Sequence, residues 1–157
     1  MQKIATCLWF DGQAEEAVAL YSSLFEDSRT VSVLRNSEAS PGATGSVLVI
    51  DFEIAGRRFQ ALNGGPEFTF NEAMSLSVDC ADQAEVDRLW DALTADGGQE
   101  VACGWLKDRF GVSWQIVPSK LPELLTDPDP AKADRVMKAM MGMTKIDVQG
   151  LLDAYGE

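Results

Sequence analysis

The chain contains no histidine. That absence removes Ser-His-Asp and Cys-His nucleophilic catalysis, imidazole general acid–base work and every metal site that needs an imidazole ligand. Positive charge is also scarce: 13 Lys and Arg stand against 25 Asp and Glu, for a net charge of −12. Without a basic patch there is nothing to release counterions from a phosphate backbone, which argues against nucleic acid and anionic membrane surfaces as partners. No apolar run approaches the about 18 residues of a membrane span, and Met1-Gln2-Lys3 leads straight into a strand pattern without a signal-peptide core. Cysteines are few and odd in number. Cys7, Cys80 and Cys103 show no CxxC spacing, so they read as reduced, buried thiols rather than disulfide or metal partners. A cytoplasmic location is expected.

What remains is enough for a real core. The 157 residues are 46% hydrophobic and 24% charged, which fits one folded domain or two fused half-domains. Ile4–Phe10 predicts a first strand. Ala14, Ala17, Val18, Leu20, Tyr21, Leu24 and Phe25 recur at helical spacing after Asp11, a candidate cap. Strands are predicted over 30–35, 46–54 and 58–62, with a polar loop over 36–45. The order then recurs: a strand over 73–80, a helix over 84–93 capped by Asp82, and strands over 100–103, 105–107 and 112–117.

The last two strands make a hairpin whose turn, Asp108-Arg109-Phe110-Gly111, needs the positive φ of Gly111. Aligned on its turn glycine, the earlier hairpin around Gly56 places Gln60 opposite Gln115 and Phe59 opposite Trp114. The chain therefore reads β-α-β-β-β twice. Beyond Pro118 it turns helical over 121–125, 131–143 and 147–155, with Val136, Met137, Met140 and Met141 read as an apolar packing side.

Strand alternation divides the side chains. With Gln60 and Gln115 inward, Leu62, Ser113 and Val117 also point in, while Phe59, Ala61, Trp114 and Ile116 face the helices. On the first and fifth strands, Thr6, Leu8, Ser75 and Ser77 are expected inward, and Trp9 toward the helix.

Cys7-Leu8-Trp9-Phe10-Asp11-Gly12 and the doubled element order resemble the vicinal oxygen chelate (glyoxalase/bleomycin-resistance) superfamily. Ala61-Leu62-Asn63-Gly64-Gly65-Pro66, Phe70-Asn71-Glu72-Ala73 and Cys103-Gly104-Trp105-Leu106-Lys107-Asp108 resemble its PhnB-like members, whose domain is labelled 3-demethylubiquinone-9 3-methyltransferase. The resemblance extends over essentially the whole chain, C-terminal helices included. It implies an α+β fold: two βαβββ modules forming an open curved barrel around a cavity, plus C-terminal helices. On that basis the chain is a single glyoxalase-like domain over 1–157, with module one at 1–66, module two at 67–118 and a helical extension at 119–157. A homodimer is also implied, with modules sometimes exchanged between chains.

Metal-dependent members of the superfamily take four ligands from strands one, four, five and eight. The corresponding positions here are Ile4, Gln60, Ala73 and Gln115. Two apolar residues and two neutral amides make a poor divalent site, so no metal and no other cofactor is expected. The glutamines either satisfy one another or nearby Ser75, Thr6 and Ser113, or grip a polar ligand. Methyl transfer has little support, because no Gly-rich loop joins a first strand to a helix and no histidine base exists.

Three readings follow. The first is a small-molecule-binding protein whose ligand lies against Gln60, Gln115, Asn63, Phe70, Asn71, Ser75, Trp105 and Thr6. The second is a metal-independent enzyme, its catalytic residues unassigned. The third is a dimeric interaction protein working through its Met-rich helix.

Overall fold

The computed structural model describes residues 2–156, and the chain divides into two compact units, Met1–Phe70 and Asn71–Glu157. Unit one contains β1 (Thr6–Phe10), α1 (Ala14–Leu24), β2 (Arg29–Arg35), β3 (Val47–Ile54) and β4 (Arg57–Asn63). Unit two contains β5 (Ser75–Cys80), α2 (Gln83–Thr94), β6 (Gln99–Glu100), β7 (Trp105–Lys107) and β8 (Ser113–Pro118). It continues into α3 (Lys120–Leu125), α4 (Pro130–Met141) and α5 (Val148–Gly156). The result is an α+β architecture of two βαβββ modules plus C-terminal helices.

The strands form two four-stranded mixed sheets, ordered β1-β4-β3-β2 and β5-β8-β7-β6. Topology repeats where identity does not: in each sheet the first and last strands of the module pair in parallel, and the others pair antiparallel.

Helix α1 buries Ala14, Ala17, Val18, Tyr21 and Leu24, and α2 buries Val86, Leu89, Trp90 and Leu93, each a single stripe at helical spacing. Opposite these stripes lie Phe59 and Ala61 of β4 and Trp114 and Ile116 of β8, all buried, as the alternation predicts. Burying a residue the size of Trp114 contributes about 3 kcal/mol by area.

Several boundaries differ from expectation. Ile4 is 88% exposed and precedes β1, and Ala73 is exposed and precedes β5. Strand β6 ends at Glu100, because the turn that closes Trp105 N–H onto the Ala102 carbonyl (3.1 Å) takes up the residues after it. Asp11 does not cap α1. The N-cap residue is Gln13, without a side-chain bond, and the Ala14 N–H donates instead to Asn63 Oδ1 at 2.9 Å. Asp82 caps α2 as expected, accepting from Glu85 N–H at 2.9 Å.

The C-terminal helices enclose a small core of Leu121, Leu124, Val136, Ile146 and Leu151, with Met140 and Met143 packed against it. Met137 and Met141 are exposed, so the expected packing side holds only in part. Four methionines in seven residues exceed what one buried stripe accommodates. A strap ties this region to its sheet: Cys103 N–H donates to the Met143 carbonyl and Gly104 N–H to the Thr144 carbonyl, both at 2.8 Å. Gly104 sits at φ +82°, where a Cβ would lie 3.0 Å from Ile146 Cγ1. Only glycine meets both conditions.

Candidate functional site

Each sheet has one face covered by its helix and one open face, and the hydrogen-bonding register assigns every side chain to one of them. On the open face of the first sheet, Cys7, Gln60, Asp51 and Ser32 lie side by side across four strands. Asp51 is the hub. Gln60 Nε2 donates to Asp51 Oδ1 at 2.9 Å, Ser32 Oγ donates to Oδ2 at 3.0 Å, and Arg58 Nη2 stands 3.8 Å from Oδ1. Loss of solvation around Cys7, and after it the Asp51 carboxylate, push the Cys7 thiol up. This suppresses the thiolate, the nucleophilic form.

On the open face of the second sheet, Ser77, Gln115 and Trp105 form one row, and Ser75, Ser113, Lys107 and Gln99 the next. Gln115 Nε2 donates to Ser75 Oγ at 2.9 Å. Lys107 pairs with Glu72, and that bond holds the Glu72 carboxyl below the usual range. Ser113 is 1% exposed, and its hydroxyl has no hydrogen-bond partner.

The hairpin beneath this face is set by Asp108, which is buried. Its Oδ1 accepts from Phe110 N–H at 2.9 Å and Val112 N–H at 3.0 Å, and its Oδ2 from Trp114 Nε1 at 2.9 Å. One carboxylate thereby fixes the turn and anchors the indole under the Gln115 strand.

The eight candidate residues do not share one surface. Gln60 lies on the open face of the first sheet, and Gln115, Ser75 and Trp105 on that of the second. Thr6 was expected beside Gln60, but it pairs with Phe59 and belongs to the helix-covered face. Leu8 goes with it, and Trp9 moves to the open face, where its ring meets Phe68 edge-on at 4.9 Å. The cause is a one-residue slip. Ile4 and Ala73 do not stand across from the glutamines; Cys7 and Ser77 do.

Asn63 is committed to the fold. Besides capping α1 it donates to the Val47 carbonyl at 3.0 Å and to Glu15 Oε1 at 3.2 Å. Phe70 packs edge-on against Phe10, at 5.3 Å, on the helix-covered side. Asn71 closes a local turn, accepting from Ala73 N–H at 2.9 Å.

Residues absent from the candidate set also line the open faces: Asp51, Trp9 and Phe68 in the first module, Lys107 and the unpartnered Ser113 in the second. Alternation from Gln60 would have flagged Asp51, since the Gly56 turn sets the two opposite one another.

The thiols are not uniformly buried, as composition had suggested: Cys80 is buried, Cys103 intermediate and Cys7 exposed. Burial, reinforced by Glu85 and Asp79, pushes Cys80 up to about 12. Among the described residues no three Cys, Asp or Glu side chains converge to hold a metal ion, and no helix is long and apolar enough to cross a membrane.

Comparison with known proteins agrees with this architecture. Residues 2–117 match the family model of 3-demethylubiquinone-9 3-methyltransferase. A Bacillus cereus PhnB protein of solved structure, bearing the same designation, is 38% identical; the match covers 74% of this chain and 99% of that one, with a TM-score of 0.68. A Pseudomonas aeruginosa protein, 21% identical over 75% of this chain and 98% of its own, shares the fold with a TM-score of 0.62. No curated protein matches. The family match stops at residue 117, so the helices α3–α5 lie outside it, contrary to the expectation that the resemblance includes them. Within those limits, the chain belongs to the PhnB-like 3-demethylubiquinone-9 3-methyltransferase family, whose fold is of the glyoxalase type.

Proposed function

We propose that this protein binds a small polar or aromatic molecule on the open face of its second sheet, without a metal ion. The observation that carries the reading is Ser113. A buried hydroxyl without a partner costs about 1–3 kcal/mol, and proteins seldom keep one that no ligand or water uses. Around it stand the Gln115 amide, with an acceptor oxygen to offer, the Lys107 ammonium and the flat surface of Trp105. That set suits a planar molecule with a carbonyl, amide or carboxylate edge.

Binding is favoured over methyl transfer, the activity in the family's name. Such enzymes commonly present a free helix N-terminus after a Gly-rich first turn. Here the first N–H of α1 is taken by Asn63, and in the first turn of α2 the Glu85 N–H is taken by Asp82. The directions of the shifted thiols, up for both Cys7 and Cys80, likewise favour binding over nucleophilic chemistry.

Ligand-observed NMR with a set of small aromatic acids and amides tests the reading. Ser113→Ala should raise stability by about 1 kcal/mol while weakening the best ligand. Gln115→Leu should abolish its binding. Hits that bind the wild type, Ser113→Ala and Gln115→Leu equally would place the ligand elsewhere. We further propose a cytoplasmic homodimer, the assembly the family resemblance implies; a monomer mass by light scattering would remove it.

A further inference from the structure

The methionine run of α4 is not among the residues of the proposed ligand face, and two of its side chains lie in solvent. One of them, Met141, 63% exposed, meets a thiol: Cys103 Sγ lies 3.9 Å from Met141 Sδ. Met137 is exposed one helical turn earlier on the same helix, an i, i+4 neighbour of Met141.

We propose that Cys103 and Met141, with Met137 as third donor, form a surface site for one soft monovalent metal ion, Cu(I) in chemical class. Three sulfurs bound at the about 2.3 Å usual for metal–sulfur bonds stand about 4 Å apart in a trigonal set, the spacing this pair already has. Thiolate and thioether together select Cu(I) over harder ions. A borderline divalent ion would want further thiolate, imidazole or carboxylate donors, and among the described residues none converge.

The backbone prepares the site. Cys103 is a non-glycine residue at φ +58°, and its N–H is tied to the Met143 carbonyl two residues beyond Met141. That combination holds the thiol against the end of α4. Met137 and Met141 lie outside the family match, which ends at residue 117, whereas Cys103 lies inside it, so the site joins the matched domain to the helix that follows it. Binding forms a metal–thiolate bond and releases the thiol proton to solvent; the ion enters already reduced, and no electron moves.

The test uses the full-length protein. Native mass spectrometry with Ag(I), a redox-inert stand-in, should give one ion per chain. Competition with a chromogenic chelator should then give the Cu(I) affinity under reducing conditions. Cys103→Gly suits the left-handed backbone and keeps the fold, with Cys103→Ser as a second variant. Each, like Met141→Leu, should weaken Cu(I) by about 10²-fold, the gain a second linked donor brings. Met137→Leu should weaken it less, by about tenfold. Cys7→Ser should change nothing. Wild-type affinity in Met141→Leu would mean that an exposed thiol acts alone, and loss in Cys7→Ser would put the ion on the other module. Either result overturns the proposal.

Discussion

The two modules build the same hairpin by different means. In the first, β3 and β4 are joined by Ala55 and Gly56, at φ +48° and +74°. Two successive left-handed residues match the twist of the flanking strands, so backbone conformation alone makes the turn. In the second, β7 and β8 are joined by a longer loop, and the Asp108 carboxylate gathers two backbone N–H groups and the Trp114 indole. The glutamines that follow differ in the same sense. Gln60 donates to a carboxylate, and Gln115 to a hydroxyl. The first open face thus turns an amide, a hydroxyl and a guanidinium onto one carboxylate. The second keeps an unspent hydroxyl and an amide oxygen. Equal topology leaves unequal polar groups after folding, and the proposed ligand site rests on that difference.

The largest test of this contrast removes Asp108. Asp108→Ala orphans three donors, two of them buried, and should cost about 3–4 kcal/mol in urea unfolding, whereas no substitution in the Ala55-Gly56 turn removes a side-chain bond. Next come the helix entries. Asn63→Ala strips three hydrogen bonds from the first module and should cost about 2 kcal/mol, against about 1 kcal/mol for Asp82→Ala in the second. A smaller effect separates the open faces chemically. Asp51→Asn should lower the Cys7 pKa, so that its alkylation proceeds faster at a given pH below the thiol's midpoint; an unchanged rate–pH profile would deny the hub its electrostatic role.

Acid should loosen the second module beside Ile146. Asp87 is held below its ordinary value, first by its bond with Lys145 and then by Gln83. A depressed carboxylate stabilises the fold above its unfolded pKa, and that contribution goes as pH falls through the lower folded value. Amide exchange around Ile146 should therefore rise under strongly acid conditions and less so in Lys145→Ala. The smallest expected effect is a gain: Ala55→Asn should stabilise by about 0.5 kcal/mol, since asparagine tolerates the left-handed region better.

Element order and both hairpins were legible in the sequence because turn glycines and strict alternation are local signals. The face of β1 was not. The helices repeat at an offset of 69, from Ala17 to Val86 and Tyr21 to Trp90, while the strands repeat at 70, from Cys7 to Ser77. The difference is one residue, because three residues lead from β1 to α1 and two from β5 to α2. A slip of one reverses a strand, so Thr6 and Trp9 exchanged faces. The role of Asn63 was hidden for another reason: the N–H it caps is 49 residues away in the chain. Met137 and Met141 have the same composition signal as Met140, and only the positions of α3 and α5 decide which is covered.

Gly104 carries a consequence for how this family domain was enlarged. Its missing side chain leaves a notch that Ile146 enters, and two backbone donors beside the notch are met by residues 143 and 144. A chain cut at the family boundary would thus not be an intact ancestor with a tail removed. It would carry an apolar recess and two unanswered amides on its surface, and would expose Val117, which packs against the lost core. The appended helices have become a repair that the shorter domain, in this sequence, can no longer do without.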